Sequence, residues 1–263
     1  MKFLGIDLGW VSGATGLCCL EWNRDRLHLL TLDCLLPMPE ILAWVDQWVP
    51  PNTPGMVAVD APTQITNPTG MRGCDRKAHQ YFGCYHAGCY PANLNSSFAA
   101  RTTGFSEALC DRGFNHAPGI TPRQLDRYQI EVYPHAAMIG LFDLPRILKY
   151  KKGKIAARRA ELERLRHLIL TRLPQQEPAL IVEHLPEIPT KGVALKAIED
   201  QFDSLICAYI AAHWWYWGVQ RNLVLTELEL AEIRAINPRN LCEAVTSGYI
   251  VIPYPQGNPE LLD

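Results

Sequence analysis

Four aspartates stand where carboxylates are costly unless something meets them. Phe3-Leu4-Gly5-Ile6-Asp7 reads as a short buried strand that ends in an acid, and Met56-Val57-Ala58-Val59-Asp60 repeats the design further along. Asp200 and Asp203 lie three apart, and on a helix both project from one face. A buried carboxylate without a partner is expensive, so a cation or a ligand hydroxyl is expected at Asp7. Hard divalent cations such as Mg²⁺ or Mn²⁺ take oxygen ligands, and carboxylates from separate elements supply them. Two such ions about 3.5–4 Å apart would bind the attacking and the leaving oxygen in phosphodiester cleavage. Each acid also has a plainer reading. Asp7 could cap a turn, Asp60 could fix the turn before Ala61-Pro62 by an Asx-type bond, and Asp200 with Asp203 could be a solvated helix face.

The elements that must position these acids follow from the pattern. Gly9, Gly13 and Gly16 allow a tight reversal after Asp7 and lead into the apolar strand at 17–22. A charged turn at 23–26 precedes a third strand at 27–32, completing an antiparallel meander. Residues 38–49 carry apolar side chains at helical spacing and stop at Pro50-Pro51. The strand ending at Asp60 comes next, so three antiparallel strands, a crossover helix and a further strand run in order. Between 61 and 127 proline, glycine, asparagine and cysteine are frequent, and the segment reads as a long insertion within a single domain spanning 1–263. Regularity returns with a strand at 128–133, a charged helix at about 154–173, a last long helix at about 193–217 and an extended segment at 248–253.

Further candidates sit on these elements. Glu131, on the strand after the insertion, is a candidate fifth acid, supporting the others or acting as general base, or else an exposed strand residue. His135 could move a proton, a hydrogen-bonded structural histidine being the plainer reading. Arg72 and Arg76 could grip a phosphate, with Asp75 orienting one of them, or form a salt-bridged loop anchor. Cys74, His79, Cys84, His86 and Cys89 crowd together, but their spacing fits neither paired Cys-x-x-Cys knuckles nor a Cys₂His₂ pattern, and reduced thiols with loop histidines are expected. The other cysteines read as core. Between Arg146 and Arg172 ten basic residues face Glu161 and Glu163, densest at Lys149, Lys151, Lys152 and Lys154. This run could contact a nucleic-acid backbone, with Lys151 and Lys152 as candidate substrate contacts, or be a solvated helix with internal ion pairs. Trp214, Trp215 and Trp217 could stack on bases, but at the end of a core helix they read as packing or a homodimer contact.

Bulk composition narrows the class. With 48% hydrophobic and 20% charged residues and a net charge of −2, the chain has no disorder signature and no global attraction for polyanions. No stretch approaches eighteen uninterrupted apolar residues, and the N-terminus enters a strand at once, so a cytoplasmic protein without a membrane span is expected. Nine cysteines then suggest a reducing compartment.

GIDLGWVSGATG, VAVDAP, RGCDR at 72–76, IEVYPHAA, EDQFDSLICAYIAA and GYIVIP together resemble the ribonuclease-H-like superfamily. In particular they are similar to a little-characterised bacterial and archaeal family described as predicted nucleases. The order of acids also resembles Holliday-junction resolvases, which pair a first-strand Asp and a fourth-strand acid with two acids three apart on a late helix. The resemblance implies an α/β fold, with a ribonuclease-H-like mixed sheet of three antiparallel and then parallel strands, flanked by helices. It implies Asp7, Asp60, Asp200 and Asp203 as metal ligands, and a Mg²⁺- or Mn²⁺-dependent nuclease acting on DNA or RNA through a metal-activated water. The resolvases' fourth-strand acid is Glu, one methylene longer than Asp60, so metal spacing could differ. The opening GIDLG and the turn after it also resemble the first phosphate loop of actin-like ATP-binding phosphotransferases. Those proteins need a second Gly-rich Asp loop, and none is found. A non-catalytic nucleic-acid-binding protein on the same fold is the third reading.

Overall fold

Apolar residues on both faces carry the first strands, because both faces of the sheet are covered. In the computed structural model, which describes residues 1–11 and 13–254, β1 (Lys2–Asp7), β2 (Thr15–Asn23) and β3 (Arg26–Leu35) form the expected meander. Helix α1 (Met38–Trp48) crosses over to β4 (Gly55–Val59), which adds parallel to β1. The segment that follows is less irregular than its composition suggests. It contains α2 (Gly73–Phe82), α3 (Ala99–Cys110) and the short β5 (Asn115–His116) before β6 (Arg127–Glu131) pairs parallel to β4. Helix α3 has no strong apolar stripe in sequence and borrows its burial from tertiary neighbours, whereas α2 is amphipathic and buries Cys74, Ala78 and Phe82 along one face.

Helix α4 (Pro134–Phe142) starts on its proline, α5 (Ile155–Arg172) is the charged helix, and β7 (Leu180–Ile181) joins the far side of β3. Helix α6 (Gly192–Trp217) is the long late helix. The chain closes with β8 (Asn222–Leu225), α7 (Leu230–Ala235), α8 (Pro238–Ala244) and β9 (Ile250–Pro253), where β8 and β9 pair in a separate two-stranded sheet. The large sheet has seven strands in the order β5-β6-β4-β1-β2-β3-β7, antiparallel in the meander and parallel beyond β1. No helix among the described residues is long and apolar enough to cross a membrane.

Alternation along the strands divides the sheet between two cores. Phe3, Met56, Ala58 and Ile130 face α4 and α6, whereas Leu4, Ile6, Val57 and Val59 face α1 and α3. On the first face, α6 lies in backbone contact with the sheet. A Cβ on Gly5 would fall 1.9 Å from the Ser204 carbonyl oxygen, and one on Gly16 would fall 1.9 Å from the Asp200 carbonyl oxygen. Gly16 pairs directly with Asp7. Glycine at this position therefore serves the approach of a helix as well as the reversal after Asp7.

Gly16→Ala should cost about 1–3 kcal/mol or more, because backbone must move to admit the methyl. Gly104 lies inside α3 with nothing within 4 Å of its Cβ position, so Gly104→Ala should gain about 0.5–1 kcal/mol. Thermal unfolding of the two variants should shift in opposite directions.

Candidate active site

The parallel pairing of β1 and β4 sets Ile6 against Val59, and the Asp60 amide donates to the Ile6 carbonyl at 2.8 Å. Asp7 and Asp60 therefore leave neighbouring strands level with each other. Gly5 and Gly16 bring α6 down over the same strands, which adds Asp200 and Asp203. Asp7, Asp60 and Asp200 line one cavity of about 540 Å³, while Asp203 is fully buried behind it. The loop after β1 is held by the Trp10 indole, which donates to the Asp60 carbonyl at 3.2 Å, and by Arg101, which donates to the Gly9 carbonyl at 2.7 Å. Ser12, in the turn that resembles a phosphate loop, lies outside the described residues.

Two ammonium groups balance the four acids. Lys196 pairs with Asp200 one turn away on α6. Lys151 reaches in from the segment before α5 and places its Nζ 2.7 Å from Asp203 Oδ2. The Tyr150 hydroxyl donates to the other oxygen, Oδ1, at 2.5 Å. Burial would raise the Asp203 pKa, but Lys151, the nearby His135 and these hydrogen bonds hold it below the usual carboxylate range. The other three acids are pushed upward. Burial raises Asp7 well above its ordinary value, against the opposing pull of Lys151, and Asp203, Asp60 and Asp200 add to the rise. Burial likewise raises Asp60 to about 7. Asp200 is raised by burial despite Lys196. Burial is the first cause in all three, and Arg72, Lys151, Lys152 and Lys196 share the cavity lining with the acids.

Asp7 and Asp200 are the residues that could hold a cation, with Asp60 beside them. Their oxygens suit a hard divalent ion. Among the described residues no three Asp, Glu, His or Cys side chains gather as one chelating group. That arrangement is compatible with Mg²⁺, which commonly binds through one or two carboxylates and completes its shell with water or phosphate.

The remaining candidates divide sharply. Glu131 lines the same cavity, but it is level with Val59, not with Asp60, and its carboxylate is taken up by Arg72. It is buried, and its Oε2 accepts from the Thr63 amide at 2.8 Å. Arg72 spends all five N–H donors inside the protein, on Asp75, Glu131 and the Gln64 carbonyl. It anchors the insertion to β6 and has no donor left for a substrate phosphate. Arg76 is exposed, donates to the Met71 carbonyl and stands outside the cavity. Lys152 is exposed and lines the cavity mouth, as a phosphate contact requires. Lys151 is not on an outer basic face; it is tied to the acids.

His135 departs from the plainer sequence reading. It lines the cavity, stacks near Tyr150 with ring centroids 5.4 Å apart, and its Nδ1 has no hydrogen-bond partner. Burial, with Lys151, pushes its pKa down to about 4, so it is neutral at pH 7. Of the basic run, Arg158 pairs with the buried Glu199, and Arg166 donates to the Pro186 and Leu185 carbonyls, so part of this charge is structural. The three tryptophans at the end of α6 pack, their indoles donating to the Ala117, Gln124 and Glu177 carbonyls. In the Cys/His segment His79 Nε2 contacts the Cys89 carbonyl, while Cys74 is buried. Cys110 is exposed, not in the core. Sequence reasoning missed Tyr150, Lys196 and the inward course of Lys151. Only Lys196 left a local signal, the (i, i+4) spacing to Asp200.

Arg72→Met should destabilise the fold by about 3–5 kcal/mol, since it strands Asp75 and Glu131 as buried, unpaired acids; denaturant unfolding measures this. Asp60 gives a pH signature. Its pKa rises from 3.8 unfolded to about 7 folded, so the folded state binds the extra proton between these values. Its contribution to stability therefore falls as pH rises from about 4 to 7 and stays low above that. Asp60→Asn cannot ionise. Its melting temperature should gain on the wild type across that window and stay a few degrees ahead at pH 8.

The profile of the family described as a protein of unknown function, DUF429, matches residues 5–221, which include all four aspartates, Arg72, His135 and Lys151. No curated protein matches the chain.

Proposed function

The chain belongs to the DUF429 family, and we propose that it hydrolyses phosphodiester bonds in nucleic acid with the help of Mg²⁺ or Mn²⁺ at the acidic cavity. The observation that carries this reading is the convergence of Asp7, Asp60 and Asp200 from three separate elements on one cavity, where burial raises the pKa of each. The meander, the crossover through α1 and the parallel additions of β4 and β6 support a ribonuclease-H-like reading of the sheet.

In this reading Asp7 and Asp200 would hold the ion, and Asp60 completes the acidic row. A bound divalent ion supplies Lewis-acid chemistry, activating a water and stabilising the leaving oxygen. The chain's own residues do the rest. Lys152 at the mouth meets the substrate backbone as a point charge. His135, neutral at pH 7, forms part of the cavity wall beside Tyr150. Trp10 and Tyr90 line the entrance and give a nucleobase aromatic surface. Glu131 acts at one remove, fixing Arg72 and through it the insertion that forms the cavity's outer wall.

The test is cleavage of single-stranded, duplex, hybrid and branched DNA and RNA with Mg²⁺ or Mn²⁺. Wild type should cleave at least one of them, and Asp7→Asn should lose at least about a hundredfold, as expected when several kcal/mol of charge stabilisation is removed. Cleavage that persists in Asp7→Asn overturns the site. No cleavage of any substrate, together with thermal stabilisation by ATP, would favour a phosphotransferase instead.

A further inference from the structure

Lys151 lines the cavity with its side chain 35% exposed, and its ammonium is turned inward, 2.7 Å from Oδ2 of Asp203, an acid buried behind that lining. The approach is fixed at the preceding residue. The Tyr150 hydroxyl is bound to Asp203 Oδ1, and Arg158 donates to the Tyr150 carbonyl at 2.8 Å. Both oxygens of Asp203 are thereby engaged by the same short segment. The charge of Lys151 also acts on Asp7 and Asp60. A compact ammonium and a divalent ion seek the same carboxylate oxygens, and the nearer a fixed ammonium stands, the less a second cation gains there.

We infer that Lys151 is a resident cation of this centre: its ammonium takes the position beside Asp203, Asp7 and Asp60 that a divalent ion would otherwise occupy, so that the centre accepts one ion fewer than its four carboxylates would hold. The inference rests on reading the cavity as a cation centre. Asp203 is then the residue that holds the lysine, and Asp7 with Asp200 are the pair left for an ion. A tethered cation of this kind is present before any ion or substrate arrives.

Counting ions tests this apart from activity. Mn²⁺ binding is measured by calorimetry, and by loss of the free-ion paramagnetic resonance signal, for wild type, Lys151→Met and the double variant Lys151→Met/Asp203→Asn. Lys151→Met should bind one Mn²⁺ more per chain than wild type, and the double variant should return to the wild-type number. Lys151→Gln keeps a donor toward Asp203 without the charge; it should show the same gain and serves if the Met variant does not fold. Equal numbers in wild type and a folded Lys151 variant overturn the inference. If wild type binds no Mn²⁺ while the Lys151 variants bind one, the cation-dependent function proposed above fails and Lys151 stands as the occupant.

Discussion

The contact on which the rest of the molecule depends is the backbone approach of α6 to β1 and β2. Gly5 and Gly16 leave no side chain between helix and sheet, and the helix carbonyls of Ser204 and Asp200 fill the space a Cβ would need. The consequence reaches beyond packing density. Asp200 and Asp203 arrive within electrostatic reach of Asp7 and Asp60 only because the helix sits this low. Phe202, Leu205 and Ile206 bury the flanking surface of the same helix and hold it there.

Gathering four carboxylates in a mostly buried place is costly, and the structure offsets the cost unevenly. Asp203, the deepest, receives a lysine and a tyrosine and stays ionised. Asp7, Asp60 and Asp200 are less fully offset, and burial raises their pKa values. Such an uneven arrangement is poor design for stability alone, since a cavity of unneutralised acids weakens the fold at neutral pH. It suits a site that expects positive charge from outside. The Arg72, Asp75 and Glu131 cluster makes a useful contrast. There the charges are buried too, but every guanidinium donor is matched, and the cluster works as a brace between insertion and sheet.

Much of the framework was legible in the chain. The strands ending in Asp7 and Asp60, the helix at 38–48, the charged helix and the long late helix could be read because each carries its own periodicity or punctuation. Helix α3 could not, since its residues become an apolar surface only against partners distant in sequence, and the amphipathic α2 was masked by the proline and glycine punctuation around it. The four aspartates were also legible, from strand ends and a three-residue helical spacing. Arg72 was identified as notable for the right reason, a guanidinium with Asp75 close by, and yet its use was missed. The partner that consumes its remaining donors, Glu131, lies on a strand beyond the insertion.

The sequence by itself determined which acids would be available and on which elements they would sit, because strand and helix periodicities are local properties. Tertiary structure alone decided which face each residue looks toward. Pairing register set Glu131 level with Val59 and so removed it from the acidic row, a matter of one residue in alignment between strands. The fold likewise turned Lys151 from an exposed basic run into the acidic cluster, because the segment before α5 is tied down by Asp203 and Arg158. Charge runs in sequence give the sign of a residue but not its neighbours, and for a long flexible side chain the neighbours decide what the charge does.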